Sequence, residues 1–523
     1  MARRRIRVDR DTWAAVASGL LFALAFPPVP LVLPAFVCLV PLGVAVAHAA
    51  DSGASARRAA ALGFWFGLVG CGLNLYWIAI ALSLFTWLAS LGYVATIIGL
   101  AAISGAATAA LFIVRRRTGW PMAILLPAVW VASELALVHL GDIAFPWLPL
   151  GLALARTPVL AQAADLSGVH GLSAWVACTN GLLVDAWLNR SRRGAVVTRV
   201  AAALGLAAVV AMYGEWRLRS TAIFPLARVG AVQPNIPEDE KMQAAMRTRF
   251  IGILAQLTRD EIAHEDPQLV AWPETALPGY IAEEPSWRDT MRVLATVHHT
   301  PILFGVMDYE LHGAGPEDYD YFNAAMLADS LGRIDTQPTY RKRYLVPIVE
   351  RVPFVNPRWF ASLKYFGGFG RGTGVRPFRL PFGGVGVLIC YESIFPDLAR
   401  AYRRRGADML LNITNDAWFG HTAAPYQHEA HLRLRAIENR VGIVRAANTG
   451  ISEYIDPLGR PHGATALFTP ADPTYAAETT HVRTLYVEWG DWLGALCVAT
   501  TLSLLALAAV ARFTTAPPPN PLP

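Results

Sequence analysis

With 523 residues, 54% of them hydrophobic, and a mean hydropathy of +0.37, the chain is too long for one small domain and too apolar to be wholly soluble. Its net charge of +6 does not mark a nucleic-acid binder, because the arginines fall in short clusters between apolar runs, where such clusters set membrane orientation. Four of the five cysteines, Cys38, Cys71, Cys178 and Cys497, lie inside apolar runs, so no disulfide framework can be drawn around Cys390; no Cys/His set has metal-ligand spacing either, and neither a metal nor a cofactor is expected.

In chain order, Arg3, Arg4, Arg5, Arg7 and Arg10 precede an apolar run at 12–26, and a second run at 31–49 follows with no small-residue cleavage site between them. A membrane hairpin is the better reading than a cleaved secretory signal. Further runs at 61–82, 88–114, 121–140, 170–188, 200–216 and 492–510 bring the expected spans to eight. The N-terminal arginines, Arg57 with Arg58, Arg115 to Arg117, Arg190 with Arg192 and Arg193, and Arg512 then share one side, which the positive-inside rule makes cytoplasmic. The expected organisation is seven transmembrane helices in 1–216, an outer domain in 217–489, an eighth helix in 490–512 and a disordered Pro-rich tail in 513–523. Glu134, costly in hydrocarbon, should face the bundle interior or a wet cavity, as a functional group or as a structural hydrogen-bonding one. The loop FPWLPLG at 145–151 has the composition of an interfacial segment that could shape a lipid entrance.

The outer block alternates strand and helix patterns. Strands are expected at 228–233, 269–272, 301–306, 323–327, 385–389, 409–414 and 443–447, and helices at 238–264, 286–297, 395–405 and 427–439. This alternation predicts a layered α/β sheet domain with helices outside.

Within it, the run Val385 to Ile389 ends abruptly at Cys390 in GGVGVLICYESIFPD. A strand end fixes a thiol while the following turn exposes it, as a nucleophile requires; the alternative is a small buried core residue. Glu274, in WPETALPG after LVAW, sits where Trp272, Pro273 and Pro278 would reduce its solvation and raise its pKa toward that of a general base; it could equally be a helix N-terminal acid. Lys342 lies between Arg341 and Arg343 in a chain with only three lysines, Lys241, Lys342 and Lys364. A compact ammonium can approach an oxyanion where a guanidinium fits less well, although a solvated basic face is the plainer reading. Glu350, eight residues on, could pair with Lys342 or hold the loop. Trp359, Phe360, Tyr365, Phe366 and Phe369, with Trp418 and Phe419, suit either interfacial docking or an ordinary core.

Glu, Lys and Cys in this order, in the strings WPETALP, YRKRYLVPIVE and LICYES, resemble the nitrilase superfamily. With seven spans before the domain and one after, and with GFWFG, FPWL, NITNDAWFG, QHEAHLRLRAIENR and RAANTGIS, the whole chain resembles the apolipoprotein N-acyltransferase family of the bacterial inner (cytoplasmic) membrane. The resemblance implies an αββα sandwich facing the periplasm, with Glu274 as general base, Lys342 as oxyanion stabiliser and Cys390 as nucleophile. It implies supporting roles for Glu350 and for Tyr391 and Glu392 as pocket residues, and Asn323 and Trp418 complete that set. Val349 stands where the family more often has glycine, which bears on the placement of Glu350. The implied partners are a phospholipid acyl donor and a diacylglyceryl apolipoprotein acceptor, joined through a cysteine thioester.

Two other readings use the same residues. A membrane-tethered amidase or nitrilase would send the acyl group to water and hydrolyse C–N bonds. A transporter or scaffold with an inert domain would not need all three reactive residue types.

Overall fold

The computed structural model of the chain describes residues 9–83, 89–241, 243–312, 319–356 and 367–514. Its N-terminal part is a helical bundle: α1 (Arg10–Ala23), α2 (Val40–Asp51), α3 (Ala56–Asn74), α4 (Trp77–Ser83), α5 (Ala89–Thr118), α6 (Met122–Val138), α7 (Pro158–Ala161), α8 (Ala164–Leu188) and α9 (Arg193–Ser220). Helix starts carry local caps, since the first turn leaves N–H groups without intrahelical partners. Asp9 accepts from Thr12 N at 2.9 Å and Ser55 from Arg58 N at 3.3 Å. Helices α3 and α5 pack backbone to backbone because Gly63 lacks a side chain: a Cβ there would lie 2.5 Å from Ser104 O.

Four helical segments are long and apolar enough to cross a membrane, Leu33–Asp51, Ala89–Thr118, Arg193–Ser220 and Trp492–Val510, or five if α3 and α4, bent by 57°, count as one. The other expected spans fall on α1, with 14 residues, on α6, with 17, and on α8. Length and composition therefore support a membrane protein with several apolar helices and do not by themselves reach eight spans. Helix α8 misses for a physical reason: it is the buried centre of the bundle and spends its polar side chains on its neighbours. Asn180 accepts from Leu39 N at 2.9 Å and donates to Ala35 O at 2.9 Å, and Asp185 takes Met122 N and Ala123 N at the start of α6, each at 3.0 Å.

The outer domain contains β1 (Phe224–Ala231), α10 (Glu238–Lys241), α11 (Arg247–Glu265), β2 (Leu269–Ala271), β3 (Leu277–Tyr280), α12 (Pro285–His298), β4 (Ile302–Leu311), β5 (Tyr319–Ala328), β6 (Tyr340–Arg341), β7 (Phe378–Leu380) and β8 (Gly383–Ile389). It continues with α13 (Pro396–Arg404), β9 (Met409–Thr414), α14 (Ala424–Asn439), β10 (Gly442–Ala447), β11 (Glu453–Ile455), β12 (Pro461–His462), β13 (Thr474–Thr479) and α15 (Leu485–Trp489), before α16 (Trp492–Thr514) returns to the bundle. One sheet has the order β13-β1-β2-β4-β5-β6 with β3 beside β4, and the other β12-β11-β10-β9-β8-β7. The two face each other across one core, where Val229, Leu269, Leu303 and Leu327 of the first meet Val385, Val387, Leu411 and Val444 of the second. Helices α11 and α12 cover the outer face of the first sheet through Leu254, Trp287 and Leu294; α13 and α14 cover the second. This is an α/β sheet fold with two sheets between helices.

The helix expected at 238–264 is instead α10, a short turn and α11. The apolar face that α11 buries, Phe250, Ile251, Leu254, Ala255 and Ile262, begins only at Phe250, so nothing holds the preceding residues on the same axis. Residues 515–523 of the tail lie outside the described residues, as do Trp359, Phe360, Tyr365 and Phe366.

Candidate active site

Three strand-end loops deliver the candidate side chains, two after the parallel strands β2 and β8 and one after β6, which pairs antiparallel with β5. Strand β8 pairs in parallel with β9 from Val385↔Met409 to Ile389↔Ile413, and the chain turns at its last paired residue. Cys390 takes φ +50°, a conformation a residue with a Cβ adopts only when its surroundings enforce it. The enforcement is visible: its carbonyl accepts from His428 Nε2 at 3.0 Å, and two residues later Glu392 accepts from Ile389 N at 2.8 Å. Glu274 follows β2, and its backbone lies against β4, where Gly305 leaves room; a Cβ at Gly305 would come 2.5 Å from Pro273 O and from Thr275 N. Lys342 follows β6 and is fixed by its own backbone, with its N–H on Asn323 O and its carbonyl accepting from Gly372 N, both at 2.8 Å.

The side chains converge in a buried network. Lys342 Nζ donates to Glu350 Oε1 at 2.8 Å and to Glu274 Oε1 at 3.2 Å. Asn323 Nδ2 bridges the same two oxygens at 2.7 Å to Glu274 and 3.1 Å to Glu350. Asn415 N donates to Glu274 Oε2 at 3.0 Å, and Val346 N to Glu350 Oε2 at 2.8 Å. Each carboxylate thus has both oxygens satisfied, and one ammonium is shared by two acids. Burial works against the Lys342 charge, but Glu274, Glu350 and Cys390 outweigh it and hold its pKa above the ordinary lysine range. Burial, with Glu274 next, pushes the Cys390 thiol up against the opposing pull of Lys342, so the resting group is the thiol. A carboxylate, of the type that can take such a proton, and an ammonium, of the type that can meet an oxyanion, line the same cavity as this thiol.

Glu350 takes its place although Val349 is not glycine, because the left-handed residue in this turn is Ile348, φ +71°. Tyr391 is buried beside Phe145 and Trp147, with ring centroids 6.3 Å from each, and its hydroxyl donates to Ala144 O at 2.8 Å. Glu392 differs from the pocket role expected of it. It is fully buried behind Cys390 and accepts from Tyr340 Oη at 2.8 Å and Arg343 N at 2.6 Å, so it ties the lysine loop to the end of β8. Burial pushes its carboxyl up to about 7.

A cavity of about 690 Å³ opens on these groups. Its outer-domain wall includes Glu238, Lys241, Glu274, Asn323, Lys342, Glu350, Cys390, Tyr391 and Trp418. The opposite wall comes from the helical bundle, with Ile78, Leu82, Ala95 and Ile103, and from Phe145 and Trp147 of the FPWLPLG loop. Phe369, which packs on Tyr321, and Phe419, which packs on Trp77, also line it. Glu134 faces the bundle interior, its Oε1 accepting from Trp130 Nε1 and from Leu150 N, each at 2.7 Å, at the end of that loop.

Sequence reasoning gave no role to α14, which carries much of the support. His428 sits between Cys390 and a buried Asp416–Arg445 ion pair, with Nδ1 3.2 Å from Asp416. Gln427 Oε1 accepts from Trp147 Nε1 at 2.8 Å and Trp77 Nε1 at 3.3 Å, and its Nε2 donates to Pro27 O and Asn74 O at 3.2 and 3.3 Å. Among the described residues, no group of three or more His, Cys, Asp or Glu could hold a metal ion.

The carbon-nitrogen hydrolase family model matches residues 228–471, and the model of the apolipoprotein N-acyltransferase N-terminal domain matches 18–182. The apolipoprotein N-acyltransferase of Geobacter metallireducens is 34% identical over 527 residues, 97% of this chain and 98% of that one. That of Chlorobaculum tepidum is 31% identical over 535 residues, 97% of each. Among solved structures, an amidase of the nitrilase superfamily from Nesterenkonia AN1 is similar at 20% identity and TM-score 0.38, covering 51% of this chain and 95% of its own.

Proposed function

The chain belongs to the apolipoprotein N-acyltransferase family, and we propose that it works through Glu274, Lys342 and Cys390, moving a fatty acyl chain from a phospholipid to the α-amine of the diacylglyceryl-cysteine of an apolipoprotein. The observation that carries this reading is the two-sided cavity: a Cys–Glu–Lys constellation on one wall and apolar residues of the helical bundle on the other. A hydrolase of small C–N compounds has no use for the second wall.

In the first half-reaction Glu274 takes the Cys390 proton and the thiolate attacks the ester carbonyl. The oxyanion forms beside Lys342 Nζ, whose charge is already positioned by Glu274 and Glu350 and needs no reorganisation. Collapse breaks the ester C–O bond, the lysophospholipid oxygen receives the proton from Glu274, and the acyl group stays on Cys390 as a thioester. In the second half-reaction the lipopeptide amine attacks the thioester, gives its proton to Glu274, and the sulfur leaves and is reprotonated. Asn323 keeps the two acids at their spacing, Glu350 holds the ammonium, and Tyr391 and Trp418 form part of the acyl channel.

The proposed setting is the bacterial inner membrane, with eight spans in 1–216 and 490–512, both termini cytoplasmic and the αββα sandwich of 217–489 periplasmic. The arginine clusters support this orientation. The site then lies at the leaflet that holds the acyl donor.

Initial rates with both substrates varied test the mechanism: parallel double-reciprocal lines are expected of a covalent acyl-enzyme. Intersecting lines, or fatty acid release to water as fast as transfer to lipopeptide, would contradict it.

A further inference from the structure

Lys241 is one of three lysines in the chain, sits at the end of the short helix α10, and is 2% exposed. A lysine this buried ordinarily has a carboxylate partner, because an unpaired ammonium out of water is costly. None of the ion pairs among the described residues includes it. Among the described residues its Nζ makes one hydrogen bond, to the backbone carbonyl of Glu274 at 3.0 Å, which leaves two N–H groups without a partner there. What it does face is the catalytic cavity, on the polar wall with Glu238, Glu274 and Asn415. The other ammonium of that wall, Lys342, is already shared between Glu274 and Glu350. Among the described residues, Lys241 is therefore the cation of the site without a counter-ion.

We propose that Lys241 binds the phosphate diester of the acyl donor. This rests on the phospholipid reading above and deepens it. An ester carbonyl at Cys390 and an acyl chain along the apolar wall leave the phosphate, carried on the same three-carbon glycerol, in the polar part of the cavity. A strongly hydrated ammonium matches a phosphate as a point charge. The acceptor lipopeptide carries no phosphate, so Lys241 serves only the first half-reaction. Its bond to the Glu274 carbonyl ties the headgroup site to the loop that carries the general base.

The test compares wild type with Lys241→Gln, which keeps a donor for the Glu274 carbonyl and removes the charge. Thioester formation is measured with three donors carrying the same acyl chain: a phosphatidyl lipid, its neutral methyl phosphotriester, and a phosphate-free p-nitrophenyl ester. Wild type should prefer the diester to the triester by about ten- to a hundredfold in kcat/KM, the worth of one charge-assisted hydrogen bond. In Lys241→Gln that preference should vanish, while the p-nitrophenyl ester and the aminolysis of a preformed thioester run within about twofold of wild type. Wild type indifferent to the phosphate charge would overturn the assignment even if the variant did not fold. So would equal loss with all donors, which would make Lys241 a prop for Glu274. Inhibition of the p-nitrophenyl reaction by millimolar inorganic phosphate would reassign the site to a free ion. If wild type forms a thioester from the p-nitrophenyl ester alone and never from a phospholipid, the phospholipid reading itself fails.

Discussion

Replacing Lys342 separates charge from shape at the centre of the site. Its Nζ lies 2.8 Å from Glu350 and 3.2 Å from Glu274, and the residue is 1% exposed, so a larger head must push a carboxylate aside or turn toward the cavity. Lys342→Arg keeps the positive charge between the two acids but forces a planar fork into space shaped for one nitrogen. Overpacking of that kind costs about 1–3 kcal/mol, and the retained charge spares the larger penalty of stranding two buried carboxylates. Misplacing the oxyanion donor costs about 3–4 kcal/mol of activation free energy, a hundred- to a thousandfold in rate. Lys342→Met removes the charge. Glu274 and Glu350, both bonded to Asn323 Nδ2, then face each other uncompensated, and about 3–5 kcal/mol of stability goes with the broken pair. The expected pattern is a folded, slow arginine variant and a methionine variant that is both slow and less stable. Thioester formation by intact mass against time, with thermal unfolding of the same preparations, measures both. An arginine variant within a few-fold of wild type would remove Lys342 from the chemistry, and a methionine variant as stable as wild type would refute the shared-charge argument.

The Glu392 carboxyl, lifted by burial to about 7 from the usual 4.5, contributes stability that is full below about pH 4.5 and lost as pH rises through 7, about 3 kcal/mol in all. Urea midpoints of wild type relative to Glu392→Gln should therefore fall between pH 5 and pH 8, and a constant difference would contradict the burial argument. Gln427→Leu strands two indole N–H groups and two carbonyls, so it should lower the unfolding temperature and slow acylation by long-chain donors more than by short ones; an unchanged chain-length profile would count against its role in placing Trp77 and Trp147. Alkaline phosphatase fused within 217–489 should be active and fused at the C-terminus inactive, and activity at the C-terminus would exclude the eight-span arrangement.

How much of this the sequence could show depends on how far each residue's partners lie along the chain. The strand expected at 385–389 is observed as Gly383–Ile389, because a buried parallel strand writes its burial as a continuous apolar run. Lys342 stood out by the scarcity of lysine. The same scarcity applied to Lys241, which fell within the helix expected at 238–264 and drew no role. Helix α14 was legible as a helix and illegible as a support, since its buried face is polar. Gln427 meets Trp147 and Trp77 across 280 and 350 residues, and no periodicity encodes such partners. Glu392 likewise was expected in the pocket from the family resemblance, while two of its donors lie about fifty residues earlier, at Tyr340 and Arg343. Strands β3, β7, β11 and β12 have four residues or fewer, too short for alternation to register.

The central claim is that Cys390 carries the acyl group between two lipids. Purified protein incubated with a phospholipid of defined acyl chain should gain the mass of one acyl group on the peptide containing Cys390, and adding a diacylglyceryl lipopeptide should discharge it as an amide on the lipopeptide. Cys390→Ala should gain nothing. An adduct that persists in Cys390→Ala, or one on Cys390 that only water discharges, would contradict the account.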